Sequence, residues 1–138
     1  MINFTYDPRL AGDTLSVIAL QLCDVRLMND ARWPWLILVP RIAGASEVHD
    51  LSASGQIMLA KETALVARAL KDFTTCEKIN SAAIGNIVRQ LHVHVIARSE
   101  SDANWPGPVW GFGAKVPYEP EAAAGLIEAL KTRIESAV

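Results

Sequence analysis

"RQLHVHVIAR", residues 89–98, carries two of the chain's three histidines, one residue apart in an apolar run. On a strand, successive side chains point to opposite faces. Leu91, Val93 and Val95 then share one face, the core face, while Gln90, His92 and His94 share the other. At about 3.3 Å of rise per residue, same-face neighbours stand roughly 6.6 Å apart. Two imidazoles at that spacing can converge on one small ligand, such as a phosphoryl group or a metal ion. Imidazole is largely neutral at pH 7 and can act as nucleophile, proton carrier or ligand. A half-exposed strand would show the same alternation with no chemistry behind it, so the flanking residues matter. "INSAAIGN" (79–86) brings Asn80, Gly85 and Asn86 close to the strand as flexible backbone and amide donors. The Trp/Pro/Gly segment that follows could form the wall of a pocket.

"VRLMND" (25–30) and "WLILVPR" (35–41) read as short strands, joined through the turn "NDARWP" (29–34) into an antiparallel hairpin. "GASE" (44–47) is a turn. From Ser52, a plausible N-cap, to about Phe73 the pattern is helical, with Ile57, Ala60, Ala64, Ala67 and Leu70 at three- and four-residue steps. "KINSAAIGN" (78–86) reads as a strand running into a loop, and 87–98 as the most strand-like segment. "SESDANWPGPVWGFG" (99–113) is turn-rich. A closing helix runs from Glu121, with Pro120 near its first turn and Leu126, Ile127, Leu130 and Ile134 as its apolar stripe. Strands bracketing one long helix, with a second helix at the end, give an α+β class: an antiparallel sheet of about five strands, a long central helix and a C-terminal helix.

The 138 residues suit a single domain, 1–138, of ordinary soluble composition, with 51% hydrophobic and 20% charged residues. A formal net charge of −2 and the lack of a basic run exclude a general nucleic-acid footprint. Cys23 and Cys76 form neither a CxxC pair nor a disulfide framework and read as reduced thiols. "MINFTYDPRL" does not have the pattern of a signal peptide, and the apolar runs are too short to cross a bilayer. The expectation is a cytoplasmic protein without membrane or nucleic-acid partners.

On the residues of the opening stretch the chain resembles the histidine triad (HIT) nucleotide hydrolases and transferases. Their signature is His-φ-His-φ-His-φ-φ, with φ apolar, after a Gly-containing loop. "GNIVRQLHVHVIAR" (85–98) fits that frame with Gln90, His92 and His94 in the triad positions. "NDARWPWLILVPR" (29–41) is similar to the family's first strand pair, and "WPGPVW" (105–110) to the Trp-Pro tail of the Hint-type branch. The likeness spans roughly residues 27–108.

The resemblance implies a HIT-like fold, a homodimer, a small-molecule nucleotide as partner and no cofactor. It makes His92 the nucleophile that attacks the α-phosphorus and forms a nucleotidyl-histidine intermediate, which water then hydrolyses. It gives phosphate contacts to His94, Asn86 and Asn80, and ribose or nucleoside contacts to Asn29 or Asp30 and to Trp105. A phosphoryl transition state spreads negative charge over its oxygens, so amide and backbone donors aimed there lower the barrier. A neutral imidazole is a better nucleophile when its far nitrogen donates to a fixed carbonyl, and the Gln90 carbonyl is the candidate.

Two positions depart from the family pattern. Gln90 replaces the first triad histidine; it keeps hydrogen bonds but cannot become cationic. Trp35 stands where the Hint-type branch has a further histidine. Both changes are expected to touch one polar network, and a bacterial subgroup of the family is similar in having glutamine at the first triad position.

Two other classes compete. A cupin-like metal site would use His92, His94 and Glu100, but it needs another histidine from a later strand, and none follows His94. A non-catalytic nucleotide-binding module is the other alternative. His49 reads as a surface residue at a helix entry, "GFGAK" (111–115) as a plain turn, and Glu119 and Glu121 as carboxylates suited to a helix N-terminus. Apart from Trp105, the tryptophans Trp33, Trp35 and Trp110 read as core or interface.

Overall fold

The computed structural model describes residues 3–138, so the first two residues of the 1–138 domain lie outside it. Its elements in chain order are α1 (Pro8–Asp13), β1 (Thr14–Ala19), β2 (Cys23–Met28), β3 (Trp35–Pro40), α2 (Ala53–Thr74), β4 (Lys78–Ala82), β5 (Val93–Arg98) and α3 (Pro120–Ala137). The five strands form one antiparallel sheet in the order β1-β2-β3-β5-β4.

β5 runs between two partners. Ile37 and Ala82 flank His94 in the register, and Trp35 and Asn80 flank Ile96. Being paired on both sides and covered on both faces, β5 is buried at all six residues, and so is β3. This is why both strands read as nearly unbroken apolar runs rather than clean alternations.

One face of the sheet carries α2 and α3. Val25, Leu27, Leu36, Leu38, Val93, Val95 and Ala97 meet Leu59, Val66, Ala69 and Leu70 of α2 and Leu130 and Ile134 of α3. Each of the Val, Leu and Ile side chains among these contributes about 1.5–3 kcal/mol when fully buried. The opposite face carries Trp33, Trp35, Ile37, Val39 and Ile96, covered by Leu10 and Val109. The histidines belong to this second face.

The α+β class with its antiparallel sheet stands as expected, and the details differ in four places. Residues 87–92 are not strand: the Leu91 N–H bonds the Ala45 carbonyl at 3.0 Å, so the turn at 44–47 holds this stretch instead of a neighbouring strand. The helix α1 and strand β1 had no counterpart in the sequence reading. Ser52 caps α2 as expected, its Oγ accepting the Gly55 N–H at 3.1 Å. The buried stripe of α2, however, is Leu59, Glu62, Val66, Ala69 and Leu70, whereas Ile57 is 59% exposed. Both stripes have helical spacing, and the larger aliphatics decide which faces the sheet. Glu62 is buried because its two oxygens accept the N–H groups of Leu22 and Cys23, at 2.9 and 2.8 Å, at the β1–β2 turn. No helix among the described residues is long and apolar enough to cross a membrane.

Candidate active site

His92 sits one residue before β5, at the point where the irregular segment joins the sheet. Its Nδ1 lies 2.7 Å from the carbonyl oxygen of Gln90. A carbonyl only accepts, so Nδ1 carries a proton, and in the neutral ring Nε2 holds the lone pair. That is the arrangement a nucleophilic imidazole needs.

His94 has the opposite arrangement. The Trp35 indole N–H donates to its Nδ1 at 3.0 Å. An indole only donates, so the His94 proton is on Nε2. The ring is 4% exposed and stands edge-on to His92 and Trp110, with centroids 4.8 and 5.3 Å away, and tilted against Trp35 at 5.6 Å. Burial, reinforced by the neighbouring His92, pushes its pKa from 6.5 down to about 3. Two adjacent imidazoles thus offer a lone pair and an N–H donor.

Gln90 serves this pair through its backbone. Its side chain turns away: Oε1 accepts the Asp7 N–H at 2.9 Å and Nε2 donates to the Thr5 carbonyl at 2.7 Å. The carboxamide acts as one more peptide group alongside the N-terminal segment. The expectation that Gln90 and Trp35 share one polar network is therefore corrected, since the first side chain binds residues 5–7 and the second binds His94. A side-chain amide next to an extended segment finds backbone partners there, while an indole buried beside His94 finds the ring nitrogen.

His92 opens onto a cavity of about 550 Å³ whose polar lining comprises Ser46, Glu47, Asn86, Arg89, Gln90 and His92. Gly85 also lines it; a Cβ there would lie 3.3 Å from the Val88 carbonyl, so the tight turn favours glycine. His94 stands behind His92, against the tryptophans.

The other four candidates are engaged elsewhere in the fold. Asn80 accepts from Arg98 Nη1 at 3.1 Å. Asn29 accepts the Tyr118 N–H at 2.9 Å. Asp30 is buried in an ion pair with Arg32 at 2.7 Å and also accepts the Val116 N–H. Burial alone would raise its pKa, but these hydrogen bonds outweigh it and hold the carboxyl below its usual range. Trp105 lies beneath the Arg98 guanidinium, 5.7 Å from ring centroid to Cζ. None of the four lines the cavity. A spacing in the sequence could suggest these residues, but not the partners that occupy them.

Arg98 organises that end of the site. It is 1% exposed, ion-paired with Asp102 at 2.8 Å, and donates to the Gly107 carbonyl at 2.8 Å. It thereby anchors the loop that leads from β5 to Trp110, the residue packed on His94. The Trp/Pro/Gly segment does form a wall, but of the histidine pocket rather than of the open cavity.

Sequence reasoning missed Ser46, Glu47 and Arg89 in the cavity and Trp110 beside His94. Only the long-range bond from Leu91 to Ala45 reveals the first two. For the metal alternative, His49 and Glu100 are both exposed. No group of three or more His, Cys, Asp or Glu among the described residues could hold a metal ion, so His92 and His94 have no third ligand.

Residues 11–101 match the family model described as HIT domain. No curated protein matches the chain. Among solved structures, a histidine triad (HIT) protein from Sinorhizobium meliloti 1021 is 54% identical, with 98% of this chain and 97% of that one covered and a TM-score of 0.91. One from Marinobacter aquaeolei VT8 is 41% identical, with 99% of each chain covered and a TM-score of 0.95. The diadenosine triphosphate hydrolase of Plasmodium falciparum, 15% identical over 98% of this chain and 84% of its own, has a TM-score of 0.64 and shares the fold alone. With Gln90, His92 and His94 inside the matched span and solved HIT proteins 54% and 41% identical over nearly the whole chain, the chain belongs to the histidine triad (HIT) family.

Proposed function

We propose that the protein is a HIT-type nucleotide hydrolase or nucleotidyl transferase, of a branch with glutamine at the first triad position. It acts at the α-phosphate of a nucleoside phosphoramidate, a dinucleoside polyphosphate or a similar nucleotide. The observation that carries this reading is the 2.7 Å contact from His92 Nδ1 to the Gln90 carbonyl, which in the neutral ring puts the lone pair on Nε2, on a side chain lining the cavity.

The His92 Nε2 lone pair forms a bond to the α-phosphorus, and the bond to the leaving group breaks with its electron pair going to that group. The leaving group takes up a proton from solvent. Water then attacks phosphorus and returns a proton to solvent, the P–N bond breaks with its electron pair going back to Nε2, and the nucleoside monophosphate leaves with His92 restored. His94 Nε2–H and the side chains of Asn86 and Arg89 are suited to the non-bridging oxygens, where charge builds up. Membership of the HIT family, which the resemblance ties to nucleotide substrates, supports the substrate class. Homodimerisation and a cytoplasmic location belong to the same proposal.

Incubation with adenosine phosphoramidate or diadenosine triphosphate, followed by mass spectrometry, should find an adenylyl adduct on His92. His92→Gly should abolish turnover and retain binding of adenosine monophosphate. Binding by the unaltered protein without adduct or turnover would establish a non-catalytic nucleotide module instead, and loss of fold in His92→Gly would make His92 structural.

A further inference from the structure

We infer that Trp35 is a positioning residue of this site: by occupying Nδ1 of His94 with its indole N–H, it obliges that imidazole to present Nε2–H to the oxygens of the bound phosphate. The inference rests on the reading above of His92 as nucleophile and His94 as phosphate contact.

Trp35 opens β3 in a register that sets it opposite Ile96, while His94 lies opposite Ile37, two residues along the same face. The two side chains meet on the diagonal, and the indole N–H reaches Nδ1 at 3.0 Å. Both are buried, at 7% and 4% exposure, so water does not offer Nδ1 another partner. A neutral imidazole has one N–H. Moving it to Nδ1 would set two donors face to face, and protonating both nitrogens would do the same. Trp110 packs on the same ring, but its Nε1 is buried with no hydrogen-bond partner among the described residues, so the tautomer depends on Trp35.

The consequence is a phosphate donor that carries no charge. The triad's first position is an amide pinned to the N-terminal segment, and its last is a neutral imidazole. His92 is the titratable group in contact with His94; the other rings around it, Trp35 and Trp110, do not titrate. The low pKa of His94 agrees with this arrangement.

The test is ¹⁵N NMR of the His94 ring together with steady-state hydrolysis of adenosine phosphoramidate. The unaltered protein should show the Nε2–H tautomer alone. Trp35→Phe, which keeps an aromatic ring and removes the donor, should show a mixture of tautomers. Its kcat should fall at least about fivefold while KM changes less, because a misdirected donor acts in the transition state. Trp35→His, which restores an N–H, should recover the single tautomer and part of kcat. The inference is overturned if His94 keeps the Nε2–H tautomer in Trp35→Phe, or if kcat there stays within twofold. Should Trp35→Phe fail to fold, replacement by 3-benzothienylalanine removes the same N–H at nearly constant shape and is read by the same criteria. If the unaltered protein turns over no nucleotide, the proposed function fails by itself. The tautomer, and a loss of adenosine monophosphate affinity in the variant, then still decide the role of Trp35.

Discussion

The side chain of Gln90 and the backbone of Thr5 are 85 residues apart in the chain and 2.7 Å apart in space, and the same carboxamide takes the Asp7 N–H at 2.9 Å. Thr5 and Asp7 are alternate residues of the segment that leads into α1, so the amide oxygen and nitrogen pair with its backbone as a neighbouring peptide group would. The residue whose carbonyl orients His92 is thus itself held at both ends. Its side chain is fixed to the N-terminal segment, and the next residue is fixed to the 44–47 turn through Leu91.

Gln90→Ala should therefore act on the N-terminus and on His92 together. Loss of two hydrogen bonds at a half-buried site should cost about 1–3 kcal/mol in urea unfolding. The Asp7 amide should exchange with solvent faster, and turnover should fall. Gln90→His restores the family's usual residue, but the two nitrogens of an imidazole diverge, whereas a carboxamide presents oxygen and N–H along one edge. It should recover at most one of the two bonds. Unchanged exchange at Asp7 in both variants would show that the clasp does not hold the segment.

His94 should make stability depend on pH. Its folded pKa of about 3 lies below the 6.5 of the free side chain. Between those values the unfolded chain takes up a proton that the buried ring refuses, so stability rises with pH across that window and is constant above it. Going from pH 7 to pH 5 should cost about 1–2 kcal/mol at roughly 1.4 kcal/mol per unit. The check is urea unfolding at the two pH values for the unaltered protein and His94→Asn. The unaltered protein should lose more than the variant does. Equal losses would place the titration elsewhere.

How much of this was legible depends on which contacts are local. The alternation from Leu91 to Val95 placed those side chains in the helix-covered core and the imidazoles on the other face, because a period of two survives burial. The Gln90 carbonyl was identifiable because it is only two residues from His92. The extent of the strand was not: Ile87, Val88 and Leu91 look strand-like, yet the backbone there binds a turn more than forty residues away. Asn29, Asp30 and Asn80 carried the right functional groups, but Tyr118, Arg32 and Arg98 already occupy them; the first and last of these pairings depend on tertiary structure, whereas Arg32 is only two residues from Asp30. Trp35 stood out as a departure from the family pattern; its bond to His94 required knowing that β3 and β5 are neighbours.

The loop that places Trp110 against His94 depends on Asp102. Its carboxylate takes Arg98 at 2.8 and 2.9 Å and the Ser99 N–H at 2.9 Å. The guanidinium is almost fully buried, so removing its counter-charge leaves a cation without compensation. Asp102→Asn should accordingly cost about 3–5 kcal/mol. The double variant Arg98→Met with Asp102→Leu removes both charges together and should be distinctly more stable than Asp102→Asn, since an apolar pair of similar volume often substitutes for a buried ion pair. If the pair matters to the site only as the anchor of this loop, the double variant should also regain turnover in proportion to the stability it regains. A double variant that is stable but inactive would contradict that reading and give the Arg98 charge itself a part in the chemistry.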